Sequence, residues 1–582
     1  MEKDKEKLQK LRHSLAHILA AVIQKLYPKA KFGIGPATED GFFYEFKLEK
    51  ISDEDLPKIE KEMRELIKKN LPFEKKVVSK KEAKEIFKDQ PFKLQLLEEI
   101  KDEKVTLYKV GNFLDLCQGP HLKSTSEIDP EAFKLSKIAG AYWKGDEKNP
   151  MLTRIYGIAF LEKKELEEYL EKIEEAKKRD HRILGKKLEL FFIDEEIGPG
   201  LVLWQEKGAI LRRIIENFVI EEYLKNGYFL VSTPHIARKI LWEKSGHLEF
   251  YKENMFPPMH LKEISKEEKG EYQLRPMNCP FHIAIFKQKI RSYRDLPLRY
   301  AEIAAVYRYE RSGTLHGLTR VRGLTQDDGH IFCTPSQLGE ELVSLLNLTL
   351  KILKTFGFND FSISLSTRPK KYIGDEKIWK KAENALKYAL EKTKLSFEIL
   401  EGEGAFYGPK IDLHLKDSLQ REWQCSTIQV DFNLPQRFEL YFINQKGKKE
   451  TPIMIHRAIL GSIERFIGIL LEHYGGDLPL WLSPIQIWII PVGASHREYA
   501  TQIEETLKKE GFRAEAKNEA KTVAKKIREG EIQKIPYLLV VGDREKNRKT
   551  VRVRKRKEGD IGEFSLSSFI EKLKKELPFK IN

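Results

Sequence analysis

Two short segments bring together side chains that bind metals or move protons. In LRHSLAHIL, His13 and His17 stand four residues apart, which puts them on one face of a helix, and LCQGPH places Cys117 and His121 likewise. Two imidazoles, a thiol and a third imidazole make a plausible zinc site by donor chemistry alone. The plain alternative is that they are unrelated helix and loop residues. A second group suits anions. RYERSG at 308–313 sets Arg308 two positions before Glu310, and HRAILGSIERF at 456–466 ends in the pair Glu464–Arg465 before a phenylalanine. Taken singly, each reads as a surface ion pair. Cys279, His330 and His456 are scattered along the chain and on their own read as a buried thiol and two satisfied histidines.

Taken together, RYERSG, RVRGLTQDDGH at 320–330 and HRAILGSIERF resemble motifs 2 and 3 of the class II aminoacyl-tRNA synthetases; GYFLVSTPHIA around Pro234 resembles motif 1 more weakly. The chemistry of that class explains the recurring arginines. An amino-acid carboxylate attacks the α-phosphate of ATP, so two anions must meet while pyrophosphate departs, and fixed cations are needed. By this resemblance Arg308 holds the α-phosphate through a planar, bidentate guanidinium. Glu310 reads the adenine amino group, and Arg320 and Arg465 grip the γ-phosphate together with Mg2+. Arg308 and Arg465 are the implied catalytic residues, Gln424 falls to the ATP site, and Lys410 lies in a matching stretch.

RPMNCPFH at 275–282, DDGH at 327–330 and IHRAIL at 455–460 are similar to the threonyl-tRNA synthetases specifically. That likeness implies one Zn2+ per subunit on Cys279, His330 and His456, with positions left free for substrate as in catalytic zinc sites. It also implies why a metal is used. Valine has nearly the shape of threonine with a methyl for the hydroxyl; an apolar pocket separates them poorly, whereas an unfilled polar contact rejects strongly. Asp328 is expected to accept from the threonine hydroxyl, with Met277, Gln326 and Tyr407 around the amino acid and adenylate. Serine keeps the hydroxyl, and a missing methylene gives only about 10- to 200-fold discrimination, so a second, hydrolytic site is expected. H-x-x-x-H with C-x-x-x-H resembles the editing domain shared by threonyl and alanyl synthetases. The implied editing residues are His13, His17, Cys117 and His121, helped by Lys93 and Asp115, which position a water against the seryl ester without metal. A second zinc site is the competing reading.

These residues have to be positioned by several domains, and a chain of 582 residues suggests about four at roughly 150 residues each. An amphipathic helix around 7–27, the segment FGIGPATEDGFFYEF and a helix opened by Ser52 as N-cap indicate an α+β editing domain over 1–160. Residues 161–187 carry a helix-period apolar stripe in a dense field of both charges and read as a linker helix. Over 188–478, apolar helices alternate with β-rich runs such as LPLRYAEIAAVYRYE, which fits a class II catalytic core built on a large antiparallel sheet flanked by helices. Residues 479–582 alternate strand and helix and predict a small α/β domain with a mainly parallel sheet. That domain resembles the anticodon-binding domain of class IIa, in which Glu545 and Arg554 align with base-reading residues. Arg552 and Arg556 are expected at phosphates. The fold class is α+β, multidomain.

Lys+Arg number 104 against 89 Asp+Glu, a formal charge of +15 that favours a polyanionic partner. By the resemblance this is tRNA(Thr), alongside ATP and L-threonine, and motif 1 implies a homodimer. MEKDKEKLQK lacks the apolar core of a secretory signal, and no run is long enough for a membrane helix. Four cysteines without a C-x-x-C pair suit a reducing cytoplasm. The chain is expected to be a form without the ubiquitin-like domain that begins many family members. Three rivals fit less well. A prolyl-type enzyme does not need the Cys279, His330 and His456 trio, an RNA-binding paralogue does not need Arg308, Glu310 and Arg465, and a pure deacylase does not need two further domains.

Overall fold

The computed structural model describes residues 2–48, 50–260 and 270–578. Its internal contacts divide the chain into two units, Met1–Glu175 and Ala176–Asn582. In the first, the helix Glu2–Leu26 buries Leu15, Ile18, Leu19 and Val22 against an antiparallel sheet ordered Lys31–Phe32, Gly41–Lys47, Met151–Ala159, Phe133–Tyr142. Ser52 does not open the second helix directly. It caps one tight turn, Asp53–Asp55, where the Asp55 carboxylate accepts the Ser52 N–H at 2.9 Å, and Leu56–Ile67 follows. A second small sheet, Phe73–Ser79, Lys104–Val110 and Phe113–Leu116, carries Asp115. The helix Pro91–Glu99 carries Lys93. Cys117 and His121 share the four-residue spacing of His13 and His17 but lie in a loop, not on a helix; Gly119 there takes φ +75°.

The expected linker helix is two helices, Lys163–Arg179 and His181–Lys187. The break is chemical. Asp180 leaves helical geometry, and its carboxylate accepts the Arg182 N–H at 2.8 Å as N-cap of the second helix.

The second unit is built on an eight-stranded sheet. Its order is Phe229–Leu230, Leu298–Tyr307, Gly323–Cys333, Ile453–Ser462, Glu422–Asp431, Lys410–Lys416, Phe361–Ser366, Glu398–Leu400. All neighbours are antiparallel except the two short edge strands, which run parallel to theirs. Strand alternation sorts the 323–333 and 453–462 strands into two faces. Ile331, Ile455 and Ile459 join Leu211 and Ile215 of the helix Glu206–Lys225, and Ile467 and Leu470 of the helix Ile463–Tyr474, in the large core. Phe332 and Met454 face the other way, onto the helix Cys279–Lys287.

The C-terminal sheet, Ala514–Ala516, Ile487–Pro491, Tyr537–Val541, Thr550–Lys555, Gly559–Ser565, is mixed and not mainly parallel. Its first three strands are parallel and its last two pairings antiparallel. Only the short helix Asp543–Arg548 joins the third strand to the fourth. A parallel return needs a crossover of a dozen or more residues.

Candidate functional site

On the face of the large sheet opposite its main helices, the strands line a cavity of about 670 Å³. Gln326, Asp328 and His330 alternate along one strand and all reach it, with Asp327 on the other side. Met277, Arg308, Glu310, Arg320, Tyr407, Lys410, Gln424 and Arg465 line the same cavity, so the structure brings together every residue assigned from sequence to ATP, metal and amino acid.

Cys279, His330 and His456 place one donor atom each within 4.8 Å of one another. His330 and His456 are direct cross-strand partners, with Nε2 and Nδ1 3.0 Å apart. Their other nitrogens are spoken for. His456 Nε2 lies 2.9 Å from Asp431 Oδ2, and a carboxylate whose second oxygen already accepts the Asn433 and Leu434 N–H groups can only accept here. His330 Nδ1 lies 2.8 Å from His282 Nδ1, and His282 Nε2 lies 3.2 Å from Glu302 Oε2. Glu302 also accepts from Thr233, so the proton on His282 sits on Nε2, its Nδ1 accepts, and His330 carries its proton on Nδ1. The two nitrogens facing each other are therefore both bare lone pairs. Burial pushes His330 well below the usual histidine range. A soft divalent cation satisfies both lone pairs and the Cys279 thiolate, and His282 and Asp431 are the outer partners that orient such ligands. The residues present fit Zn2+.

The rest of the cavity carries Arg308, Arg320 and Arg465. Among the described residues no carboxylate pairs with Arg308 or Arg465. Arg308 Nε reaches only the Pro276 carbonyl at 3.4 Å, and Arg465 donates to the carbonyls of Gln424 at 3.0 Å and Thr319 at 3.1 Å. Arg320 and Glu310 instead hold each other at 2.9 Å. Asp328 accepts from Asn278 at 3.0 Å, Lys410 pairs with Asp412 at 2.7 Å, and Met277 sulfur lies 3.3 Å from His247 Nε2. Tyr407 donates to Gln429 and packs near His456.

In the first unit His13, His17, Cys117 and His121 also converge, their donor atoms within 4.8 Å. Here one proton arrangement satisfies His13, Cys117 and His121 without a cation, while His17 Nδ1 is buried with no hydrogen-bond partner among the described residues. Ser14 Oγ, 3.2 Å away, donates to His121 Nδ1; His121 Nε2 donates to Cys117 sulfur at 3.3 Å; the thiol donates to His13 Nε2 at 3.3 Å; and His13 Nδ1 donates to the Pro120 carbonyl at 3.3 Å. Burial pushes the Cys117 thiol up to about 11 and lowers His13, His17 and His121, so thiol and rings are neutral near pH 7. Beneath lies a buried triad: Lys93 Nζ and Asp115 Oδ1 are 2.5 Å apart, and Tyr44 donates to Asp115 Oδ2 at 2.6 Å. His17 Nε2 stands 3.7 Å from Asp115.

In the C-terminal sheet, Arg554 sits half-buried on a strand with Glu531 at 3.8 Å, while Glu545 lies in the neighbouring helix and accepts the Gly542 N–H at 2.9 Å. Arg552 is paired with Asp560 at 2.9 Å. Arg556 is not free for phosphate: both of its terminal nitrogens donate to the carbonyls of Lys534 and Leu478, each at 2.6 Å.

Sequence reasoning missed His282, Glu302, Asp431 and Tyr44. Cys279 and His282, three apart in CPFH, carried a helical signal; the others become neighbours only through strand order.

Three family models match: "tRNA synthetase class II core domain (G, H, P, S and T)" over 262–474, "Anticodon binding domain" over 486–576, and "Threonyl and Alanyl tRNA synthetase second additional domain" over 105–156. The chain is 52% identical to the threonine–tRNA ligase of Sulfurihydrogenibium sp. (strain YO3AOP1), covering 98% of this chain and 89% of the relative. It is 52% identical to that of Aquifex aeolicus (strain VF5), covering 99% and 90%. With the chloroplastic/mitochondrial threonine–tRNA ligase 2 of Arabidopsis thaliana the identity is 50%, covering 98% and 87%. Among solved structures, the RNA binding domain of threonyl-tRNA synthetase from Cryptosporidium parvum Iowa II matches with a TM-score of 0.65 at 44% identity, covering 69% of this chain and 100% of that one. A putative threonyl-tRNA synthetase from Aeropyrum pernix matches with a TM-score of 0.59 at 31% identity, covering 69% and 96%.

Proposed function

The chain belongs to the threonine–tRNA ligase family, and from that premise we propose that the large cavity is its adenylation site, with Zn2+ on Cys279, His330 and His456, and that the His13 cluster is its editing site. The enzyme is an ATP-dependent class II aminoacyl-tRNA synthetase that activates threonine, transfers it to tRNA and removes mischarged serine through its editing domain. In activation a threonine carboxylate oxygen bonds to the α-phosphorus as the bond to pyrophosphate breaks. Arg308 and Arg465, lacking carboxylate partners, meet the phosphates, with Mg2+ accompanying ATP. Arg320 and Glu310 exchange their mutual ion pair for a phosphate and the adenine amino group. Gln424 completes the ATP site. Bound zinc would supply a Lewis-acid site for the amino and hydroxyl groups of threonine; Asp328 accepts from that hydroxyl, and Met277, Gln326 and Tyr407 enclose the substrate.

In editing, Cys117 and the neutral His13, His17 and His121 orient water at the seryl ester over the Lys93–Asp115 pair. Glu545 and Arg554 read anticodon bases of tRNA(Thr). The domains run 1–160 (editing), 161–187 (linker), 188–478 (catalysis) and 479–582 (anticodon). Exposed Phe229, Leu230, Ile236 and Ile240 beside Pro234 support a homodimer. Four free cysteines and the lack, among the described residues, of a helix able to cross a membrane support a cytoplasmic enzyme.

The single observation carrying the metal reading is the pair of bare imidazole nitrogens at 3.0 Å beside Cys279. ATP–pyrophosphate exchange with threonine, serine, valine and proline, alongside a metal assay, tests it. Exchange with threonine, weaker with serine and none with valine is expected, with one zinc per chain that Cys279→Ser removes. Retention of zinc and exchange by Cys279→Ser would refute the ligand set, and two zincs per chain would give the His13 cluster a metal.

A further inference from the structure

Where the two linker helices meet, the chain lies against the loop that carries Arg320. His181 is fully buried there. Its Nε2 accepts the Leu318 backbone N–H at 3.0 Å, and its Nδ1 donates to Glu472 Oε1 at 2.6 Å. Glu472 closes the 463–474 helix and pairs through its other oxygen with Arg421 at 2.6 Å. Gly317, at φ +48°, packs directly on the ring, and a Cβ there would overlap Nε2. Beyond Leu318 come Thr319, whose carbonyl accepts from Arg465 at 3.1 Å, and Arg320 itself. One imidazole thus stands immediately behind two cations assigned to ATP. Asp180, His181 and Glu472 also bring donor atoms within 4.8 Å of one another. Both ring nitrogens are already used, however, and the carboxylates face Arg182 and Arg421, so the cluster reads as structural rather than metal-binding.

We propose that His181 is a positioning residue for adenylate formation: by fixing Leu318 it holds Thr319 and Arg320 where the phosphates of ATP are gripped. Preorganised cations act fully only when the loop that bears them is already in place, and a shift of about 1 Å can cost on the order of a hundredfold in rate. The inference rests on the assignment of Arg320 and Arg465 to ATP, which Arg320→Ala probes separately.

Pyrophosphate exchange by the full chain provides the test. His181→Ala leaves the Leu318 N–H unpartnered and should raise the KM for ATP about tenfold, while the KM for threonine stays within about twofold. His181→Gln, whose side-chain carbonyl can accept that N–H, should recover most of the loss. Gly317→Ala, whose Cβ would overlap His181 Nε2 at a φ of +48°, should show the same selective ATP defect. Equal rises in KM for ATP and threonine would overturn the proposal. A raised KM for ATP in Arg320→Ala with none in His181→Ala overturns the positioning role alone. Unchanged KM in both overturns the ATP assignment and the inference with it.

Discussion

His330 and His456 donate their outer N–H groups to hydrogen-bond acceptors and are left with facing lone pairs, whereas His13, His121 and Cys117 form a donor–acceptor chain that ends on the Pro120 carbonyl. The donor types are the same in both places, and the neighbours decide which lone pairs face each other unsatisfied. Those neighbours were illegible in sequence: Asp431 and Glu302 look like any strand carboxylate until the sheet is assembled. The three histidines of the first unit share one property, burial, which lowers each of them. The sign follows directly. The unfolded chain takes up protons on these histidines below about pH 6.5, the folded chain does not, and so stability is full above that pH and is lost as pH falls. The loss should approach about 1.4 kcal/mol per pH unit for each histidine. Calorimetry of the full chain between pH 8 and 5 should show the N-terminal unit's transition falling in temperature over this range. A transition that does not move with pH would contradict the buried, neutral assignment.

Among the secondary-structure elements, the periodic ones were legible and their assembly was not. The helices at 2–26 and 206–225 and the strands at 298–307 and 422–431 follow from their apolar spacing. The linker break at Asp180 needed attention to a capping residue within a helical stripe, and the mixed C-terminal sheet needed attention to connection length. Most of the proposed active site depends on the 323–333 strand, whose DDGH run serves two faces at once. Asp328 and His330 line the cavity; Asp327, pushed up to about 6 by burial, accepts from Tyr223 at 2.5 Å behind the sheet. Between them Gly329 leaves room for the guanidinium of Arg457, itself buried against the rings of Tyr223 and Tyr228. A methyl at 329 would strike that guanidinium, which is fully buried. Gly329→Ala should therefore cost about 1–3 kcal/mol, the usual range for overpacking, and loosen zinc by displacing His330. Urea unfolding with a parallel metal titration would measure both, and wild-type values for either would show that the strand absorbs the methyl.

For the molecule as a whole, a charge of +15 forecast a polyanionic partner but not which cations meet it. Arg552 is neutralised by Asp560, and Arg556 serves the joint between the catalytic sheet and the C-terminal sheet. Its two 2.6 Å bonds end on Leu478 and Lys534. Asp477, just beyond the helix that carries Arg465, takes Lys534 at 3.0 Å and Lys557 at 2.9 Å. Gln533 adds a second fastening, accepting from Lys207 at 2.8 Å and donating to the Lys187 carbonyl at 3.2 Å. Two strand positions from the proposed base-reading Arg554, the chain is thus pinned to the end of the motif 3 helix. If that joint sets how an anticodon-bound tRNA presents its 3′ end, cutting it should spare the chemistry that needs no tRNA. Arg556→Ala leaves the Lys534 carbonyl without its donor and the Leu478 carbonyl with only Ser483 Oγ at 3.2 Å, a loss that should lower kcat/KM for tRNA about tenfold. ATP–pyrophosphate exchange should stay within about twofold of wild type. Equal losses in both assays would mean that Arg556 supports the catalytic core itself, and no loss in either would mean that Gln533 and Asp477 suffice to hold the two sheets together.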